Sequence, residues 1–240
     1  MAGERHVVIS GGGTGIGRAT ARAFALEGAR ITLLGRRADV LAEAAEELGA
    51  RTHSVDLTDP AAVHELVVGW SEPVDVLVNN AGGVARGEVG DLAELAEQWL
   101  ADYRTNVLTA VLLTEGLRDR LRRPGGRVIL LSSIAALRGG GGSYSAAKAA
   151  LHGWAFDLAA ELGPEGITVN VVAPGYTADT EFFGGAMTDE RHRRLVDATL
   201  VKRAGRPEDI AETIRFLASE QAGYITGQIV QANGGALLGR

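Results

Sequence analysis

Short apolar runs alternate along this chain with longer stretches whose apolar residues recur at helical spacing. His6-Val7-Val8-Ile9 is the first run and stops at a glycine cluster, the pattern of a buried strand. Arg18 to Glu27 is alanine-rich and periodic and closes at Gly28, which predicts a helix. The alternation continues through a strand at Ile31–Leu34, a helix at Ala38–Leu48, a weak strand at Thr52–Val55 and a helix from Pro60 to Trp70. A strand at Val74–Val78 follows, then a long helical stretch from Leu92 to Leu121 with a break near Ala101-Asp102. Strands at Arg127–Leu131, Ile167–Val172 and Gln228–Gln231, with helices from Tyr144 to Gly163 and from Pro207 to Leu217, complete the pattern. This rhythm predicts an α/β fold with a doubly wound parallel sheet of about seven strands flanked by helices. Residues 176–205 break it, and an interruption of that length predicts a lid or binding loop.

Composition narrows the class. The 240 residues are 46% hydrophobic, enough for one sizeable core, so a single domain over 1–240 is expected. The formal net charge of -6 argues against nucleic acid as the main partner. There are no cysteines, hence no disulfide, thiolate metal site or cysteine nucleophile. His64, His152 and His192 form no metal-ligand pattern, and no metal is expected. No apolar run reaches membrane-spanning length and the first ten residues carry no signal-peptide core, so a soluble, cytoplasmic protein is expected. Glycine is abundant, at 33 residues, and clustered, which points to tight turns and close approach to a ligand.

The candidate chemistry sits at the predicted strand ends. Ser10-Gly11-Gly12-Gly13-Thr14-Gly15-Ile16-Gly17 lies between strand and helix, where backbone N–H groups and a helix N-terminus face a phosphate. Ser10, Gly11, Gly13, Thr14, Gly15, Ile16 and Gly17 are therefore assigned to a dinucleotide. The end of the second strand meets the adenosine ribose in such folds. Here it offers Arg36-Arg37 and no acid before Asp39, which favours NADP(H) over NAD(H), although NAD(H) stays open if both arginines are solvated. Asp56-Leu57 ends the third strand; Asp56 suits either an adenine amino group or an Asx turn. Asn80, Ala81 and Gly82 follow the fourth strand and are assigned to the cofactor, with a structural role as the alternative. Ser133 ends the fifth strand as a candidate carbonyl-orienting hydroxyl, with Ser132 its competitor. Tyr144 and Lys148 stand one helical turn apart. An ammonium there predicts a tyrosine held below its free value of about 10, and bringing it to about 7 takes roughly 4 kcal/mol.

Taken together, these residues resemble the short-chain dehydrogenase/reductase family, particularly its 3-oxoacyl-carrier-protein reductase-like members. The resemblance rests on S-G-G-G-T-G-I-G at Ser10, D-L at Asp56, N-N-A-G at Asn79, N-V at Asn106, S-S at Ser132, Y-S-A-A-K at Tyr144, P-G at Pro174 and the Y-I-T-G-Q…N-G-G tail. It implies a Rossmann-type fold and a hydride transfer between a nicotinamide and a ketone or secondary alcohol. Tyr144 is implied as general acid/base, Lys148 as its activator and ribose ligand, Ser133 as carbonyl orienter, and Asn106 as holder of a proton-relaying water. Pro174, Gly175 and Thr177 (or Thr180) would close over the nicotinamide. A homotetramer is also implied. This chain departs from the family in a shorter interval from Ser133 to Tyr144, with its run Gly139 to Gly142, in Ser10 for threonine, and in Asn233 where aspartate is commoner.

Substrate identity is less legible. Phe182, Phe183 and Met187 suit an apolar pocket or packing of the lid. Arg118, Arg120, Arg122 and Arg123 form a basic run that suits an acidic carrier protein or a CoA-like group, or a solvated helix end. Two other readings stand beside the oxidoreductase. A cofactor-binding sensor or scaffold would need the glycine loop but not Tyr144. A nucleotide-sugar epimerase or dehydratase would need an added substrate domain that this length hardly allows.

Overall fold

The computed structural model describes residues 4–239, apart from 86 and 88. Strands β1 (His6–Ser10), β2 (Arg30–Gly35), β3 (Arg51–Ser54), β4 (Val76–Asn79), β5 (Arg127–Leu131), β6 (Thr168–Pro174) and β7 (Gln228–Ala232) form one parallel sheet in the order β3-β2-β1-β4-β5-β6-β7. The helices are α1 (Gly15–Ala25), α2 (Ala38–Leu48), α3 (Pro60–Val68), α4 (Leu92–Tyr103), α5 (Thr109–Leu117), α6 (Ala135–Arg138), α7 (Ser143–Leu162), α8 (Asp189–Asp197) and α9 (Pro207–Leu217).

Every residue of β1, β4, β5 and β6 is buried, which explains why these strands read as continuous apolar runs. Their side chains still alternate between two faces. Val8, Leu77, Val128, Leu130, Val169 and Val171 pack with Val63, Leu113, Leu117 and Leu158 of α3, α5 and α7. Val7, Ile9, Val76, Val78, Ile129 and Val172 pack with Phe24, Leu41, Ile210 and Ile214 of α1, α2 and α9. β3 is an exposed edge, and its polar sequence made it the weakest strand to predict.

Strand order reverses between β1 and β4, so the loops leaving their C-terminal ends diverge and open a crevice. Three elements differ from expectation. Helix α1 starts at Gly15, inside the glycine loop, and not at Arg18. The long helix is interrupted by a π-turn at Arg104–Leu108, not at Ala101-Asp102; Asn106 sits in it and donates Nδ2 to the Asp102 carbonyl at 2.9 Å. Residues 176–205, expected as a lid or binding loop, hold a 3-10 segment, Glu181–Ala186, and helix α8. α8 is so polar that little apolar periodicity betrays it, but Thr188 caps it by accepting the Arg191 N–H at 3.2 Å, with Asp189 and Glu190 in its first turn.

Candidate active site

Tyr144 and Lys148 lie in the first turns of α7, both buried against the C-terminal end of β5. Lys148 Nζ stands 6.0 Å from the Tyr144 ring centroid and donates to the Leu131 carbonyl at 2.8 Å. Ser133 shares a hydrogen bond with the Tyr144 hydroxyl, while its Oγ also accepts the Ala135 N–H at 3.1 Å. The competitor, Ser132, faces elsewhere. Its Oγ donates to the Lys148 carbonyl at 3.0 Å, so the contact with His152 Nε2 at 2.7 Å requires that nitrogen to carry a proton and donate. Ser132 and His152 thus brace α7 from behind, and Ser133 faces the phenol.

The expected lowering of the tyrosine is not what the protein does by itself. Burial pushes the Tyr144 phenol up to about 12; the Ser133 hydrogen bond opposes this and the Asp102 charge adds to it. Burial also brings the Lys148 ammonium down to about 8. Both charged forms lose hydration, and for each group that loss is the largest influence.

Asn106 joins the pair through Gly82. Its Oδ1 accepts the Gly83 N–H at 3.1 Å and its Nδ2 donates to the Gly83 carbonyl at 2.8 Å. A Cβ on Gly82 would lie 2.7 Å from Asn106 Oδ1 and 2.9 Å from Lys148 Nζ. Glycine here keeps open the one position that both polar groups border.

A cavity of about 1300 Å³ runs from Arg36, past Gly13 and Asn80, to Tyr144 and Thr177. A single small-molecule pocket spans roughly 300–1,000 Å³, so this cavity has room for a dinucleotide and a second ligand. Gly11, Gly13, Thr14, Gly15 and Ile16 line it, with no side chain at three of the five, as do Asp56, Leu57, Ala81, Gly82, Pro174 and Gly175. The chain thus fits a dinucleotide along its strand ends. Two assigned residues sit behind this wall. Ser10 turns its Oγ inward to accept the N–H groups of Asn80 and Ala81 at 3.1 and 3.0 Å, and Gly17 lies under Gly11, where a Cβ would stand 2.1 Å from the Gly11 oxygen. Both shape the loop from below and do not line the cavity. Asp56 forms the Asx turn of its two readings: Oδ1 accepts from the Thr58 N–H and hydroxyl at 2.9 and 2.8 Å, which holds the carboxyl below its usual range.

Comparison with known proteins now identifies the scaffold. Residues 11–236 match the family model described as enoyl-(acyl carrier protein) reductase. The chain is 33% identical over 239 residues to the 3-oxoacyl-acyl-carrier-protein reductase FabG of Escherichia coli (strain K12), covering 96% of each chain. It is 33% identical over 245 residues to the hydroxy(phenyl)methylsuccinyl-CoA dehydrogenase subunit BbsD of Thauera aromatica, covering 98% of this chain and 97% of that one. It superimposes on Pseudomonas aeruginosa RhlG, solved as an NADP active-site complex, with a TM-score of 0.88 at 29% identity, covering 99% and 98% of the two chains. The chain belongs to the short-chain dehydrogenase/reductase family. It is an oxidoreductase of the CH-OH/C=O type.

Within that family frame, the two adjacent arginines take different partners. Both line the cavity, but Arg37 is paired there with Glu181 at 2.6 Å, whereas Arg36 forms no ion pair among the described residues. The lid aromatics divide as well. Phe182 lies over Tyr144, with ring centroids 5.4 Å apart, while Phe183 packs on Tyr176 at 5.4 Å. The basic run lies at the opposite end of the sheet, before β5. There Arg118 pairs with Glu115 and Glu161, Arg122 with Asp75, and Arg123 with Glu165, so it does not border the cavity. Two residues escaped the sequence reading. Glu181 carries no signal of its reach to Arg37. Asp102, buried beside α7, stands one turn before Asn106 on the same helical face, and that spacing was visible.

Proposed function

We propose that this protein is an NADP(H)-dependent ketoreductase that interconverts a ketone, carried as a carrier-protein or CoA thioester, and the secondary alcohol. The observation that carries this reading is the joint placement of the Ser133-bonded Tyr144 hydroxyl and buried Lys148 on a cavity continuous with Arg36. In reduction, Ser133 and Tyr144 hold the substrate carbonyl oxygen, and Tyr144 transfers its proton to that oxygen as negative charge develops. When bound, the nicotinamide supplies the hydride. Lys148 and Asn106 flank the gap at Gly82, where a water would return a proton to the site. Arg36 grips the 2′-phosphate with its planar fork, and the strand-end amides of the glycine loop hold the diphosphate. The names of the FabG and BbsD relatives support a thioester-linked substrate, and the NADP complex of RhlG supports the cofactor. The whole chain is read as a single domain with its lid at 176–205, working in the cytoplasm as a homotetramer. No helix among the described residues is long and apolar enough to cross a membrane.

The test is a titration with NADPH and NADH, followed by a panel of 3-oxoacyl, enoyl and simple ketone substrates read at the nicotinamide absorbance. NADPH binds the tighter, ketones turn over, and Tyr144→Phe lowers kcat by roughly 10²–10⁴-fold with NADPH affinity unchanged. Cofactor binding with no turnover, and a silent Tyr144→Phe, would instead favour a cofactor sensor.

A further inference from the structure

The segment from Ser133 to Tyr144 is held locally by the Gly141 N–H, which donates to Ser145 Oγ at 2.9 Å, and by the Ile134 N–H, which donates to the Pro174 carbonyl at 2.8 Å, but the start of α7 is tied to the rest of the site from elsewhere. After α6 the backbone passes through Gly139, Gly140 and Gly142 at φ of 77°, 91° and 55°, torsions that suit glycine, and Gly142 precedes α7 with no side chain to cap it. The fastening comes from a residue 41 positions earlier. Ser143, the first residue of α7, donates its Oγ to Asp102 Oδ2 at 2.6 Å. Asp102 Oδ1 accepts the Ala85 N–H at 2.6 Å, and its backbone carbonyl accepts Asn106 Nδ2 at 2.9 Å. One residue thus touches the start of α7, the loop after β4 and the turn that carries Asn106.

Asp102 is also 1% exposed and has no ion-pair partner among the described residues. A carboxylate is an expensive means of bonding one serine and one amide, since an apolar side chain would avoid its desolvation. The positive end of α7 offsets part of that cost. What the charge adds is a field one residue away from Tyr144, opposite in sign to that of Lys148.

We propose that Asp102 is a positioning residue of the reductase centre: it fixes the start of α7, and so Tyr144, to the β4 loop and the Asn106 turn, and sets a buried carboxylate beside the phenol. The inference rests on the reading of Tyr144 as proton donor. Lys148 on its own helix and Asp102 from α4 face Tyr144; Arg36, Arg37, Asp56, Arg138, Tyr176, Glu181 and Arg191 line the same cavity, and Arg104 is exposed on the turn after Asp102. Asp102→Asn changes one of these charges and leaves the rest.

Rates of ketone reduction by NADPH, and of the reverse oxidation, are measured against pH for the wild type, Asp102→Asn and Ser143→Ala. Reduction falls as pH rises through the ionisation of the coupled Tyr144–Lys148 pair, and removing a neighbouring negative charge moves both members in the same direction. Asp102→Asn keeps groups that can bond Ala85 and Ser143 but removes the charge. Its alkaline limb of reduction and its acid limb of oxidation therefore both move to lower pH. Ser143→Ala keeps the charge and removes the fastening; kcat falls about tenfold, a fraction of the ~100-fold that a 1 Å displacement produces, with KM for NADPH unchanged. Limbs of Asp102→Asn that coincide with the wild type overturn the proposal, even if thermal stability drops, because that is a packing role. Should Asp102→Asn not fold, a Ser143→Ala enzyme with wild-type kcat overturns it instead. Wild-type turnover abolished by Tyr144→Phe, with unmoved limbs, fails this inference alone; absence of wild-type turnover fails the underlying reading, and this with it.

Discussion

The floor and the roof of the cavity are built by different physics. The floor consists of strand ends, the turn that carries Asn106 and the first turns of α7; Tyr144, Lys148 and Asn106 are buried there, and Lys148 and Asn106 are bonded to backbone. The roof, residues 176–205, is tied at its base by backbone hydrogen bonds of Tyr176 and Ala178 with Gly205, and beyond that by exposed side chains, such as the Arg37–Glu181 ion pair and the hydrogen bond between the Tyr176 hydroxyl and His192 Nδ1 at 2.7 Å. Buried groups bonded to a rigid sheet tolerate little displacement, whereas exposed pairs are worth about 0–1 kcal/mol. Substitutions in the floor should therefore change chemistry by orders of magnitude, and those in the roof should barely register.

Lys148→Met should break the floor most. It removes the charge that stabilises the developing phenolate, and kcat should fall on the order of 10²–10³-fold, as when one oxyanion donor is lost. Stability should move the other way. Burial lowers the ammonium from 10.5 to about 8, which corresponds to about 3 kcal/mol of desolvation at neutral pH, only partly offset by the bond to Leu131. Below pH 8 the lysine is protonated in both states and the folded state bears that cost. Between about 8 and 10.5 the unfolded chain binds the extra proton, so wild-type stability rises with pH. Lys148→Met should lose this rise and melt at or above the wild-type temperature at pH 7, read by thermal unfolding.

A smaller disturbance of the same floor is Gly82→Ala. The added methyl enters the space between Asn106 Oδ1 and Lys148 Nζ, and one of them must move. Displacement costs about 1–3 kcal/mol of stability and kcat drops about tenfold to a hundredfold, with NADPH affinity retained. Wild-type kcat in this variant would mean that the gap plays no part in the reaction.

What could be read in advance divides along the same line. The alternation of buried runs and periodic helices gave the sheet, and a helix repeat put Tyr144 and Lys148 on one face, because both are local properties of sequence. The inward turn of the Ser10 hydroxyl, the Ser143–Asp102 bond across 41 positions and the Glu181–Arg37 pair across 144 depend on which loops meet in space, and no local pattern encodes that. The direction of the Tyr144 shift is not encoded locally for a related reason. Spacing shows that an ammonium is near, but not how much water both groups lose.

At the cofactor end, Arg36→Ala and Arg37→Ala test where floor gives way to roof. Hydrogen bonds to charged groups contribute about 1.5–3 kcal/mol, and the lower end applies near solvent. Arg36→Ala should therefore weaken NADPH binding about tenfold while NADH binding is unchanged. Arg37→Ala should cost NADPH binding far less, because that arginine already carries Glu181. Equal losses, measured by titration with each cofactor, would show that the phosphate recruits both arginines and displaces the lid carboxylate.

Glu181→Gln should have the smallest effect and is the sharpest probe of the roof. The carboxylate holds Arg37 and also takes a hydrogen bond from Thr14 of the glycine loop, so one lid residue spans the mouth of the dinucleotide site. Both members of the ion pair are more than half exposed, at 55% and 60%, so its loss should change stability by less than about 1 kcal/mol. The Arg37 bond holds the Glu181 carboxyl below its usual range. What it contributes is therefore present above the unfolded carboxylate's range and vanishes as pH falls through the folded one. Variant and wild type should melt together in acid, and in 1 M salt, where the screening length is about 3 Å. NADPH binding should tighten slightly, because a negative charge beside the phosphate loop is gone and Arg37 is released. A large loss of stability or of cofactor affinity would instead make this pair part of the rigid site and erase the distinction between floor and roof at that corner.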